Sequence, residues 1–506
     1  MVSIIEKGNL MSAIDWRQAA SNLNLRKQAF IGGKFVDAVS GGVFDAINPA
    51  NGTTLAQIAS CDAADVDLAV RSARNAFDSG SWSRRSPSER KKVLQRFAEL
   101  MHQHGDELAL LETLNMGKPI SDARSVDVPA SANTIAWYAE AIDKIYDEIA
   151  PTGSGALGMI TREPVGVVAA VVPWNFPLLM ACWKLGPALA AGNSVILKPA
   201  EQSPLSAIRL AELAAEAGIP DGVFNVVTGL GEIAGKALGL HMDVDAVTFT
   251  GSTEVGKLFM SYSAQSNMKR VALECGGKTP HIVMADCGNL DEAATAAAYG
   301  IFFNQGEVCN AGSRLLVDAK IKDVFLDKVI AVGKTLTVGD PLAPATKLGA
   351  MVSQVQMDRV LDYIDIGSKE GAQLRSGGKR VLRETGGYYI EPTVFDNVSN
   401  KMRIAQEEIF GPVLATISFT GAEEAVALAN DTIYGLAAAV WTDNIDVALS
   451  TARRLRAGSV WVNNFDESNI TMPFGGYKQS GFGRDKSLHA IDKYTELKAT
   501  WIKIRA

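Results

Sequence analysis

A chain of 506 residues exceeds the roughly 250–300 at which one hydrophobic core stops growing, so at least two domains sharing a cleft are expected. Hydrophobic residues make up 47% and charged residues 21%, which excludes the weakly apolar, highly charged composition of a disordered chain. A formal charge of -7, with no basic stripe interleaved with aromatics, argues against nucleic acid as a partner.

The apolar tracts Val165 to Val172 and Leu185 to Ala191 are far shorter than the ~20 residues of a membrane-spanning helix, so no membrane association is expected. The start, MVSIIEKGNLMSAIDW, carries an early acid at Glu6 and no sustained apolar segment, so it does not read as a secretory signal and a cytoplasmic location is expected. Five cysteines at irregular spacing without a CxxC pair fit neither a disulfide framework nor a zinc site, and no metal is expected.

In chain order, residues 1–28 read as a helical lead-in, and FIGGKFVDAVSGGVFDAINP reads as hairpins of an N-terminal sheet. From Ser86 the spacing predicts a helical pair, with Ser86 and Glu89 as a capping box and Gly117-Lys118-Pro119 as the stop. From Val165 strand and helix alternate: VGVVAAVVPW, LLMACWKLGPALAAG, SVILKP, SPLSAIRLAELAAEAG, VFNVVTG, GEIAGKALGLH, DAVTFTG, STEVGKLFMSY, RVALEC. Continuous β-branched runs separated by amphipathic helices predict a doubly wound α/β sheet, Rossmann-like, with ligands beyond the carboxyl ends of the strands. Trp174-Asn175, Lys198-Pro199, Thr250-Gly251 and Glu274 stand at those ends. A second α/β half follows from about Lys278 to Val462, and KYTELKATWIKIRA alternates like an exposed strand that wants a partner such as another subunit.

Among the cysteines only Cys309 lies in a loop of Gly, Asn and Gln, FFNQGEVCNAGSR, where backbone amides and access would favour a thiolate below the ordinary ~8.5. A lone cysteine is otherwise a small buried hydrophobe. The stretch Gly251 to Lys257 also fits GxxxxGK, but Leu258 stands where a phosphate loop needs Ser or Thr for magnesium.

The Cys309 loop is accompanied by PWNFP (173–177), ILKPAE (196–201), FTGSTEVGK (249–257), LECGGK (273–278), EEIFGPV (407–413) and PFGGYKQSG (473–481). In order and separation these seven motifs resemble the aldehyde dehydrogenase superfamily over roughly residues 28–503. The resemblance implies that family's fold: an NAD-binding domain from 1–145 and 165–276, a catalytic domain from 277–480, and a small β oligomerisation arm from 146–164 and 481–506, in a dimer or tetramer. It implies Cys309 as nucleophile toward an aldehyde, Asn175 with the Cys309 amide as oxyanion hole, and Glu274 as general base for thioester hydrolysis, with Lys184 and Asp485 completing the catalytic set. Two alternatives remain: Asn175 as a cap for the helix near Pro177, and Glu274 as a surface residue at a strand end. Asp485 stands where many branches carry Glu, so a water-holding role there would fall to a shorter side chain.

For the cofactor, Trp174 lines the site, Lys198 and Glu201 meet the adenosine ribose, Gly251, Ser252 and Gly256 the pyrophosphate, and Glu408 and Phe410 the nicotinamide ribose and ring. Glu201 would repel a 2′-phosphate, which favours NAD while leaving NADP open. WYAEAIDK, LLMACWKLGPALAAGNSVILKP and GGYKQSGFGRDKSLHA give a finer resemblance to bacterial dehydrogenases of γ-glutamyl-γ-aminobutyraldehyde and 4-guanidinobutyraldehyde, of polyamine and arginine breakdown. The substrate mouth is then expected from Phe176, Met180, Trp183, Asp466, Glu467 and Phe474, an aromatic wall with an acidic rim suited to a cationic tail, unless Asp466 and Glu467 are a solvated loop. A succinic semialdehyde or broad aliphatic aldehyde dehydrogenase is the enzymatic alternative, the former wanting Arg or Lys at the mouth. A binding or structural protein on the same fold is the non-enzymatic one.

Overall fold

The uninterrupted apolar runs after Val165 form strands buried on both faces. Val168 and Ala170 join one hydrophobic cluster, while Val167, Ala169 and Val171 join another, so the two-residue period of a strand divides one run between two cores. The structure is a computed structural model that describes residues 14–505.

The first sheet has eight strands, in the order Lys34–Val36, Ala29–Ile31, Phe224–Val226, Ser194–Lys198, Val167–Val171, Ala246–Gly251, Arg270–Cys275, Gly481–Phe482. The five from Phe224–Val226 to Arg270–Cys275 are parallel, and both edges are closed by antiparallel strands. Strand order reverses between Val167–Val171 and Ala246–Gly251, which opens a crevice at their carboxyl ends. The second sheet runs Gln373–Ser376, Thr393–Asp396, Val413–Phe419, Arg314–Asp318, Pro280–Val283, Ala437–Trp441, Ser459–Val462, parallel except for its first strand. Alternate residues again enter separate cores, Ile282 and Leu316 on one face, Val283 and Leu315 on the other.

The expected helical pair is present as Pro87–Gln103 and Gly105–Met116. Ser86 and Glu89 close the capping box, and left-handed Gly117 ends the second helix. Of the lead-in, residues 1–13 lie outside the described residues; Trp16–Ser21 is helical, with the Asp15 carboxylate accepting from the amides of Arg17 and Gln18.

Two expectations need correction. The N-terminal hairpins do not make a sheet of their own: Ala29–Ile31 and Lys34–Val36 extend the edge of the first sheet, and only Val43–Asn48 and Thr53–Ala59 pair separately. The three-stranded arm is Glu148–Ala150, Ala156–Pro164 and Thr495–Lys503, whereas Gly481–Phe482 pairs with Arg270–Cys275, so 481–494 belongs against the first sheet and not with the arm. The cause is charge: Asp485 is buried there against two lysines, which fixes that stretch to the body.

Candidate active site

Cys309 follows a turn in which Asn304, Gln305 and Gly306 all hold left-handed φ, at 50°, 57° and 73°. That is costly for a glutamine, and the surroundings hold it in place. The Gln305 side chain accepts from the Gly349 amide at 3.0 Å and donates to the Ala350 carbonyl at 3.2 Å. Asn304 Nδ2 donates to the carbonyls of Asn175 (3.3 Å) and Glu307 (3.2 Å). Among the five cysteines Cys309 alone is half-buried; the other four are buried.

Asn175 does not cap the helix Pro177–Ala191, whose N-cap is Phe176 without a side-chain bond. Its Nδ2 donates instead to the Glu307 carbonyl at 2.9 Å, two residues before the nucleophile. An amide nitrogen carries two hydrogens, so one stays available to an oxyanion.

Glu274 and Cys309 are joined through two glycines. A Cβ on Gly277 would come within 2.8 Å of the Cys309 carbonyl oxygen, and one on Gly276 would overlap the Glu408 carboxyl group. Glu408 in turn accepts from the Gly277 amide at 3.2 Å. The Cys309 backbone and the Glu408 carboxyl therefore crowd one bare stretch of backbone that directly follows Glu274 in the chain. Glu274 is buried, and neither carboxyl oxygen has a partner, so the surface-residue alternative falls. Burial and then the negative charge of Asp485 hold its carboxyl well above the ordinary range, with Lys184 opposing.

Three of the expected site residues have surroundings that the sequence did not show. The Cys309 thiol is pushed up, not down, by burial and then by the carboxyls of Asp466, Glu408 and Glu274. A base must therefore take its proton. Asp485 is enclosed by charge: one oxygen is paired with Lys184 and the other with Lys493, and Asp485 and Lys184 are both fully buried. Although burial opposes it, those two ammoniums bring the Asp485 carboxyl below its usual range. Gly256 also lets the helix Thr253–Gln265 pack closely on the sheet, since a Cβ there would lie 2.9 Å from Cys275 Sγ.

The dinucleotide residues stand at the strand ends as expected. Lys198 Nζ, buried, donates to the Pro199 carbonyl at 2.8 Å and lies 3.7 Å from Glu201 Oε2. The Thr250 hydroxyl is buried without a partner, and Ser252 Oγ caps its helix by accepting from the Val255 amide at 3.2 Å. Gly251 leaves room for the Phe249 ring. Trp174 meets Phe410 edge-on at 5.2 Å, and Phe410 holds φ of 60°, with Gln356 donating to its carbonyl at 2.7 Å. An underused lysine, an orphan hydroxyl and a carboxylate in one crevice fit a ribose- and phosphate-bearing cofactor.

On the substrate side Phe176 and Met180 are buried, Phe176 stacking on Phe303 at 6.4 Å beneath Lys118. Trp183 meets Phe474 edge-on at 5.3 Å. Asp466 accepts from Asn310 Nδ2 at 2.7 Å, beside the nucleophile, while Glu467 is exposed and is no part of the wall. Burial raises the Asp466 carboxyl to about 6. The site also contains residues that sequence reasoning passed over. Ser480 Oγ donates to the Gly276 carbonyl at 2.7 Å and accepts from the Gly435 amide at 2.9 Å. Lys486 lies against Trp183, so a cation as well as acids stands near the expected mouth.

Residues 35–500 match the aldehyde dehydrogenase family, and the chain belongs to it. More particularly, it is 52% identical to the NADP/NAD-dependent aldehyde dehydrogenase PuuC of Escherichia coli K12, over 97% of this chain and 98% of that protein. Among solved structures, a γ-glutamyl-γ-aminobutyraldehyde dehydrogenase from Burkholderia cenocepacia J2315 is 58% identical with a TM-score of 0.96, covering 97% of this chain and 99% of that one. An indole-3-acetaldehyde dehydrogenase complexed with NAD+ is 63% identical with the same TM-score of 0.96 and the same 97% and 99% coverage. Among the described residues no helix is long and apolar enough to cross a membrane.

Proposed function

We propose that this chain oxidises an aldehyde to its carboxylate through a thioester on Cys309, with NAD as hydride acceptor. The observation that carries the reading is the packing of the Cys309 backbone and the Glu408 carboxyl on Gly276-Gly277, the two glycines that follow the buried, unpartnered Glu274 by one residue. Glu274 accepts the thiol proton, the sulfur adds to the carbonyl carbon, and the second Asn175 N–H with the Cys309 amide receives the oxygen. NAD bound in the crevice would supply the acceptor for the hydride that leaves the former aldehyde carbon. The thioester stays on Cys309 until Glu274, deprotonated again, draws a proton from water. Lys184 and Asp485 act on Glu274 through charge without touching substrate. Trp174 and Phe410 would flank the ring, Glu408 and Lys198 with Glu201 would hold the riboses, and the negative charge of Glu201 would favour NAD over NADP.

The substrate class we infer is a butyraldehyde bearing ω-nitrogen: an amino-, guanidino- or γ-glutamylamino-butyraldehyde. Support comes from the name of the B. cenocepacia relative and from the aromatic wall with Asp466 beside Cys309. The reading includes an NAD-binding domain on the first sheet, a catalytic domain on the second, and subunit assembly through the arm. Cys309→Ala should keep NAD affinity by fluorescence titration and give no NADH with any aldehyde. Residual turnover above a few per cent would place the nucleophile elsewhere. Glu274→Gln removes the base from both halves, so the first turnover of NADH should slow and the steady rate should collapse, whereas a mutant that turned over at the parental steady rate would remove the glutamate from the cycle.

A further inference from the structure

The stretch GRDKSLHA supplies Asp485 to the base, but the residue after it has had no role. Lys486 and Ser487 both hold left-handed φ, at 61° and 50°, an arrangement that non-glycine residues take only when the surroundings enforce it. The bend carries the Lys486 side chain to the substrate wall. It is 5% exposed; Nζ donates to Ser468 Oγ at 2.6 Å and lies 5.6 Å from the centre of the Trp183 ring. Trp183 packs on Phe474, and Asp466, which faces Lys486, is bonded to the residue after Cys309. An ammonium has three donors and Ser468 uses one. Two remain, on a buried cation among the residues expected to enclose the tail of the aldehyde.

We propose that Lys486 is a specificity-determining residue: fixed between Ser468 and Trp183, its ammonium receives an oxygen acceptor on the substrate tail, a carboxylate or an amide carbonyl, and disfavours a cationic tail. The proposal rests on the aldehyde-oxidising reading of Cys309 and narrows its substrate class toward acylated amines. Burial lowers the Lys486 ammonium to about 8 while the charges of Asp466 and Asp485 oppose that shift, so lysine and acid together present a donor where acids alone would present an acceptor.

The test compares four aldehydes by NADH formation: succinic semialdehyde (carboxylate), 4-acetamidobutanal (amide), 4-trimethylammoniobutanal (fixed cation) and hexanal (apolar). In the parent protein, the amide and carboxylate tails should exceed the cation in kcat/KM. Lys486→Met should cost those two about 10- to 100-fold, as loss of a charged hydrogen bond does, chiefly in KM, while hexanal changes by less than about twofold. Lys486→Arg should retain much of the preference. Should Lys486→Met fold poorly, Ser468→Ala frees the ammonium without removing it and should blunt the same two tails. The loss falling on amide or carboxylate alone identifies which oxygen is read. Equal loss on all four aldehydes, or a parent that prefers the cation, overturns the proposal. If hexanal is oxidised normally in that case, only Lys486 is reassigned; if no aldehyde yields NADH, the underlying function falls with it.

Discussion

Glu274 stands between opposing charges, and its acidity is set by residues that never meet the substrate. The negative Asp485 makes its proton harder to lose and Lys184 makes it easier. A raised carboxyl is inactive as a base until pH passes its elevated value, so turnover limited by deacylation should fall as pH drops through it. Asp485→Asn should therefore move the acidic limb of the kcat–pH profile to lower pH, and Lys184→Met should move it to higher pH. Shifts in the same direction, or none, would detach the ion pair from the base. Cys309, Asn175 and Glu274 were legible because each sits in a short motif at a strand end or in a polar loop. Ser480 and Lys486 were not, since their partners, Gly276 and Trp183, lie far away along the chain and only folding brings them near.

Local rules sufficed for most helices and for the central strands. Ser86 and Glu89 show it: the sequence spacing alone implied two reciprocal bonds, and both are present. Ser86→Ala should lower stability by about 1 kcal/mol, read as a reduced thermal midpoint with KM unchanged. The hairpins of 29–59 defeated the same reasoning, because a short strand's alternation does not say which sheet it joins. Gly256 was assigned to the pyrophosphate from its motif; its contact with Cys275 shows close packing of helix on strand. Gly256→Ala should destabilise the protein, and adding Cys275→Ala should recover much of that loss. Failure of the second substitution to restore the melting temperature would return Gly256 to the cofactor.

For the molecule as a whole, composition implied two bodies and a cleft, and the two sheets divide the chain where the strand pattern breaks after Cys275. The last strand of the arm was legible from its alternation, but its partner was not: it pairs with Ala156–Pro164 of the same chain. In Thr495–Lys503, Leu497 is 61% and Trp501 71% exposed, large apolar groups that a neighbouring subunit would cover. Trp501→Lys should reduce the native mass measured by light scattering while leaving the secondary structure intact; an unchanged mass would assign assembly to another face.

The run from 481 to 503 links these scales. It begins as a strand hydrogen-bonded beside Glu274, passes through Asp485 and Lys493, and ends in the exposed arm. A single proteolytic nick between Leu488 and Tyr494 would thus free the arm and untether Lys493 from the buried charge cluster in one event, so loss of assembly and a displaced pH optimum would arrive together.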